Sequence, residues 1–130
     1  MIISQTLLDE LTAKAKASPR LRCSFDLRNS SEDLSQRMLN ALEPGTVMPI
    51  HRHRHTSETV VCLRGRLVWE FYDDGVCMET VEVSAGGAVC GLNIPAGQWH
   101  TVRALESGSV ILEMKEGAYE ALGQEDMMTI

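Results

Sequence analysis

Gly45-Thr46-Val47-Met48-Pro49-Ile50-His51-Arg52-His53-Arg54-His55-Thr56-Ser57-Glu58, continued by the apolar run Thr59-Val60-Val61-Cys62-Leu63 and the turn Arg64-Gly65-Arg66, decides the reading of this chain. Strand residues two apart share a face and are separated by about 6.6 Å along the backbone. His51 and His53 therefore project side by side, close enough for both imidazoles to converge on one ion. His55 keeps the alternation but lies about 13 Å from His51 on a regular strand. It is left out of the ligand set. Glu58 opens a run with the look of a buried strand. Further on, Pro95-Ala96-Gly97-Gln98-Trp99-His100 reads as a turn that delivers another strand. The expected ligands are His51, His53, Glu58 and His100, gathered inside a β-barrel. Neutral imidazoles and a carboxylate suit one divalent transition metal, and affinity order alone does not choose among Zn, Ni, Mn and Fe.

Regular strand and turn signals surround this stretch. Strands are expected near 46–50, 58–64, 67–72, 76–83, 88–94, 99–104 and 109–115, with Asp73-Asp74-Gly75 as a hairpin turn. Many short strands with glycine-rich turns predict a sandwich or jelly roll. Before residue 45 the pattern changes. Thr6 to Ala17 reads as an amphipathic helix with Leu7, Leu8, Leu11 and Ala15 on one side, stopped before Pro19. Arg20 to Leu27 alternates like an edge strand. Ser30 to Asp33 offers a capping box for a second helix, with Leu34, Met38 and Leu42 on one face until Pro44.

Composition excludes several classes. The chain has 130 residues, 12 basic and 18 acidic, and a net charge of −6. An acidic chain without interleaved basic and aromatic residues does not read as a nucleic-acid binder. No apolar run reaches the length of a membrane span, and Met1-Ile2-Ile3-Ser4-Gln5 has no signal-peptide character. Cys23, Cys62, Cys77 and Cys90 form no paired motif, so a reducing, cytoplasmic setting is expected. Cys62 and Cys90 read as small core residues. The basic residues cluster before residue 67. Arg20 and Arg22, with Arg28, Arg52 and Arg54, are candidates to hold an anionic ligand. Gln98 alternates with His100 and is a candidate to orient a ligand oxygen.

With these residues on the page, the chain resembles the cupins. G-x5-H-x-H-x4-E-x6-G is met at every defined position from Gly45 to Gly65. The second cupin motif is kept in part: Pro95, Gly97 and His100 match, while Val89 stands at its leading glycine and Ala104 at its closing asparagine. Gln36 to Thr46, Thr56-Ser57-Glu58-Thr59, Ile94 to Val102 and Glu113 to Gly117 are similar to the WbuC family of cupin-fold metalloproteins. Ile50 and Ala118 depart from that family's usual residues. The resemblance implies an all-β, double-stranded β-helix (a jelly-roll barrel) with short N-terminal helices. Residues 1–44 would form the helices and edge strand, 45–117 the barrel and 118–130 a tail. It also implies a link to surface-polysaccharide biosynthesis and a homodimer. The tail after Gly117 is acidic and expected to fray, with Met127 to Ile130 available to a partner subunit.

Two functions follow as expectations. One is a metal-dependent isomerase, epimerase or oxygenase acting on a sugar, nucleotide-sugar or small hydroxy or keto acid. The other is a non-catalytic, metal-dependent protein that binds a small ligand. Tyr72, Glu70, Lys115 and Tyr119 are acid–base candidates by residue type alone.

Overall fold

The computed structural model describes residues 1–128. It opens with α1 (Gln5–Ala17), followed by β1 (Arg22–Asp26), β2 (Ser35–Leu42), β3 (Ile50–His51), β4 (Glu58–Arg64) and β5 (Arg66–Asp73). Then come β6 (Val76–Ser84), β7 (Gly91–Ile94), β8 (Trp99–Ala104), β9 (Ser109–Glu116) and β10 (Met127–Met128). The strands form two five-stranded sheets, β1-β2-β9-β4-β7 and β10-β3-β8-β5-β6, with every pairing antiparallel. This is an all-β, double-stranded β-helix.

Alternation on the strands builds the core. Val60 and Cys62 of β4, Leu67 and Trp69 of β5, Val102 of β8 and Ile111 of β9 meet in the barrel interior. Trp69 is 2% exposed. Burying each such side chain contributes about 1.5–3 kcal/mol. A second core lies outside the barrel. Ser4 caps α1 by accepting from the Leu7 amide at 3.2 Å. Leu8, Leu11 and Ala15 then pack on Leu39 and Ala41 of β2 and Val110 of β9. Asp74 (φ 48°) and Gly75 (φ 76°) make the expected β5–β6 hairpin turn with two left-handed residues. At the other end of β5, Gly65 (φ 81°) packs against β9 so closely that a Cβ would lie 2.7 Å from the Ser109 Cα.

The helix expected after Ser30 is instead strand β2, and α1 is the one α-helix among the described residues. Met38 and Leu42 are four apart, a spacing that also places them on one face of a strand, while Leu39 and Ala41 fill the opposite face beneath α1. Asp33 caps no helix. Its carboxylate accepts from the Asn29 amide at 3.0 Å and the Ser35 amide at 2.9 Å, forming a turn into the strand. β1 and β2, both before residue 45, thus belong to the same sheet as β4 and β9.

Four further expectations shift. The strand near 46–50 shrinks to Ile50–His51, because the Thr46 hydroxyl holds 43–46 in a turn, 2.7 Å from the Leu21 and Glu43 carbonyls. The strand near 88–94 is limited to Gly91–Ile94, and Cys90 is exposed whereas Cys62 is buried. All four cysteines are free. Met127 and Met128 pair with His51 and Ile50 of the same chain rather than standing free. Thr129 and Ile130 lie outside the described residues. No helix among them is long and apolar enough to cross a membrane.

Candidate metal centre

Both sheets deliver side chains to one mouth of the barrel. His51 ends β3 and is the strand partner of His100 on β8, with ring centroids 4.4 Å apart. His53 sits beyond the strand end, where its carbonyl accepts from the Gly97 amide at 2.8 Å. That bond ties the histidine loop to the turn carrying His100. The His53 ring lies 5.2 Å from His51 and 5.9 Å from His100. One nitrogen from each of the three histidines falls within 4.8 Å of the others, a cluster able to hold a metal ion.

The imidazoles are oriented by their own backbone. His51 Nδ1 donates to the Pro49 carbonyl and His100 Nδ1 to the Gln98 carbonyl, each at 2.9 Å. A carbonyl only accepts, so Nδ1 carries the proton and Nε2 keeps its lone pair. Burial, reinforced by the nearby His100 charge, pushes the His51 imidazole down to about 4. Burial likewise lowers His100. Both rings are therefore neutral at physiological pH, the form that binds a metal.

Glu58 begins β4 in the facing sheet and is 5% exposed. Its Oε2 lies 3.1 Å from His53 Nε2 and 3.9 Å from His100 Nε2, yet it accepts no hydrogen bond. Burial pushes the carboxyl up, but the adjacent His53 ring and the Lys115 charge prevail and hold it below the usual carboxylate range. The three histidines form the cluster able to hold an ion, and the buried Glu58 oxygen lies beside it with a chemistry that suits a divalent cation. The residues present fit such an ion.

Other predicted residues fall elsewhere. His55 is exposed. Gln98 spends its amide nitrogen on the Tyr72 and Trp99 carbonyls, at 3.2 and 3.0 Å, and lines a separate cleft with Phe71 and Tyr72. Arg22 opens β1 opposite Leu42, at the end of the sheet away from Glu58, with its guanidinium on Met48 Sδ. Arg20 sits in the exposed turn before it. The proposed basic cluster is thus divided. Arg28 pairs with Asp26 at 2.8 Å, and Arg52 and Arg54 pair with Asp126 at 3.0 and 2.9 Å. Arg52 also covers the half-buried Trp99 ring at 4.6 Å.

The interior beside Glu58 is more polar than the sequence reading anticipated. Glu113, two residues from the core residue Ile111 on β9, accepts from Asn40 Nδ2 at 2.9 Å. Burial and the Glu58 charge push its carboxyl up to about 7, against the Asn40 hydrogen bond and the Lys115 charge. Strand alternation was the available signal: Ile111, Glu113 and Lys115 share a parity, so an inward Ile111 brings the other two inward as well.

The fold is the jelly-roll barrel of the cupin fold, with a histidine cluster at its mouth. The chain belongs to the family described as Domain of unknown function (DUF6016), which matches residues 3–83. Comparison with curated proteins gives no match. Among solved structures, KdgF from Halomonas sp. is similar at 16% identity and TM-score 0.62, over 78% of this chain and 84% of KdgF. An oxalate oxidase in complex with the substrate analogue glycolate is similar at 15% identity and TM-score 0.63. That match covers 78% of this chain and 53% of the oxidase. The capsular polysaccharide assembling protein CapF from Staphylococcus aureus matches at 21% identity and TM-score 0.63, over 85% of this chain and 32% of CapF. At these identities the likeness is one of fold.

Proposed function

We propose that this chain is a cupin metalloprotein holding one divalent transition metal through His51, His53, His100 and Glu58, and that it is a metal-dependent enzyme. The observation that carries the reading is the buried, undonated Glu58 oxygen facing imidazoles whose Nε2 lone pairs are free. The chemistry such an ion supplies when bound is Lewis acidity toward a chelated oxygen, or electron transfer if it is iron. The backbone carbonyls of Pro49 and Gln98 fix the ring orientations, so the site is organised before any ligand arrives. Glu113, on the same inner row as Ile111 and Lys115 and hydrogen-bonded to Asn40, is the candidate acid–base group for such an enzyme.

The substrate class we infer is a small hydroxy or keto acid, a sugar or a nucleotide-sugar, in surface-polysaccharide biosynthesis. The resemblance of Gln36 to Thr46 and Ile94 to Val102 to the WbuC family supports that setting, and the description of CapF points the same way. Glycolate bound to the similar oxalate oxidase supports an α-hydroxy acid.

Metal content of untagged protein, measured by mass spectrometry beside His100→Ala, tests the reading. The wild type should carry near-stoichiometric metal, and the variant should hold roughly tenfold less or lower still, having lost a direct ligand. Wild-type protein that is metal-free and takes up none of the added Zn, Ni, Mn or Fe would end the proposal.

A further inference from the structure

A cation shares the strand row of Glu58. Gln36 on β2, Lys115 on β9 and Glu58 on β4 are successive cross-strand partners. Their parity matches Leu42, Ile111 and Val60 in the barrel core, so all three face inward. Directly opposite residues bring their Cβ atoms to about 5 Å. Lys115 therefore stands beside the carboxylate of the histidine site.

Glu58 and Glu113 both feel this charge, yet neither closes a pair with it. Around the mouth, Arg52 and Arg54 are occupied by Asp126, Arg37 by Asp33 and Arg28 by Asp26. Among the described residues, Lys115 forms no ion pair within 4.0 Å and donates no hydrogen bond, although it is half-buried. It is also the one lysine outside α1. Partial burial of an ammonium without a partner costs free energy, and lysine otherwise keeps to the surface. Lys115 further lines two cavities at once. One is a cleft of about 400 Å³ at the mouth, shared with His53 and Gln36. The other is a pocket of about 240 Å³, shared with Glu113 and Tyr119. A ligand entering beside His53 meets Lys115 on the same wall. Gln36 is held in place by its own bond to the Gly117 carbonyl at 3.0 Å.

We propose that Lys115 anchors an anionic group, a carboxylate or a phosphate, of a ligand whose other end reaches the cluster of His51, His53 and His100. The inference rests on the metal reading above and narrows its substrate class to acids with a second negative group. Glu58 is directed at the histidines, which leaves the ammonium to the ligand.

The test uses manganese-loaded protein and three probes that share an α-hydroxy carboxylate: glycerate, malate and 3-phosphoglycerate. Binding is read by calorimetry, and metal content is measured on every sample. The wild type should bind malate or 3-phosphoglycerate at least about tenfold more tightly than glycerate, and the preferred acid identifies carboxylate or phosphate. Lys115→Met should bring the probes to within about twofold of one another while keeping its metal, and Lys115→Arg should restore part of the preference. A loaded wild type without preference, or a preference that survives in Lys115→Met, overturns the role of Lys115 alone. Where manganese does not load, the same titrations are run with Zn, Ni or Fe; a wild type that holds none of these metals overturns the metal reading, and this inference with it.

Discussion

The two faces of β2 and β9 make opposite use of the same strands. Outward, Leu39, Ala41 and Val110 are sealed under α1 with Leu8, Leu11 and Ala15. Inward, the rows nearest the mouth carry Gln36, Asn40, Glu113 and Lys115, where a barrel serving only its own stability would place more residues like Leu42 and Ile111. Stability has been moved to the outside of the sheet, and the interior is released for polar work. Buried polar groups are retained where they have partners or a task. Asn40 and Glu113 have each other; Glu58 and Lys115 lack hydrogen-bond partners and stand beside the histidines.

Substitutions can set the two faces against each other. The largest effect belongs to the outer one. Leu39→Ala leaves a cavity beneath α1 and should lower the unfolding free energy by about 2–5 kcal/mol in urea titration, with metal content per folded molecule unchanged. Loss of metal along with stability would mean that the faces are not separable.

An intermediate effect should come from Glu113, and its sign is fixed by proton binding. The folded carboxyl is raised from 4.5 to about 7. The native state therefore holds its proton longer than the unfolded chain, and stability is full below 4.5 and lost as pH rises through 7. Asn40 donates to this carboxyl, Lys115 draws its pKa down and Glu58 drives it up. Glu113→Gln should remove that loss, gaining about 1–3 kcal/mol over the wild type at pH 8 and little or nothing at pH 4.5. Parallel stability curves would show that Glu113 titrates as an ordinary surface carboxyl.

The smallest effect lies at the mouth's outer strap. Asp126→Ala frees Arg52 and Arg54 and should leave the urea midpoint within error, since ion pairs that stay in contact with solvent contribute little. Hydrogen exchange should nevertheless quicken at the Met127 and Met128 amides beside β3. Unchanged exchange there would show that backbone pairing alone holds β10.

Much of this was legible in the chain, for reasons that also explain the rest. The histidine and glutamate spacing, the bounds of β4 and β8 and the Asp74-Gly75 turn follow from local rules, where side-chain parity and backbone sterics act within a few residues. The β2 segment did not, because residues four apart satisfy both helical and strand periods; the packing of Leu39 under α1 decides it. Arg22 and Gln98 are engaged by partners distant in sequence, Met48 and Tyr72, which no local pattern reveals. Lys115 could be named only by residue type until strand register set it opposite Glu58.

The closeness of Gly65 to Ser109 bears on how such a chain can diverge. At that end of the barrel even one added methyl meets backbone, and the φ of 81° itself disfavours a side chain. Gly97, on the turn before His100, also has a positive φ, but a Cβ there would meet nothing within 4 Å. A side chain at Gly97 meets only the strain of its φ of 83°, whereas one at Gly65 must also displace the β9 backbone, so the turn beside the histidines has more room to vary than the far end of the barrel.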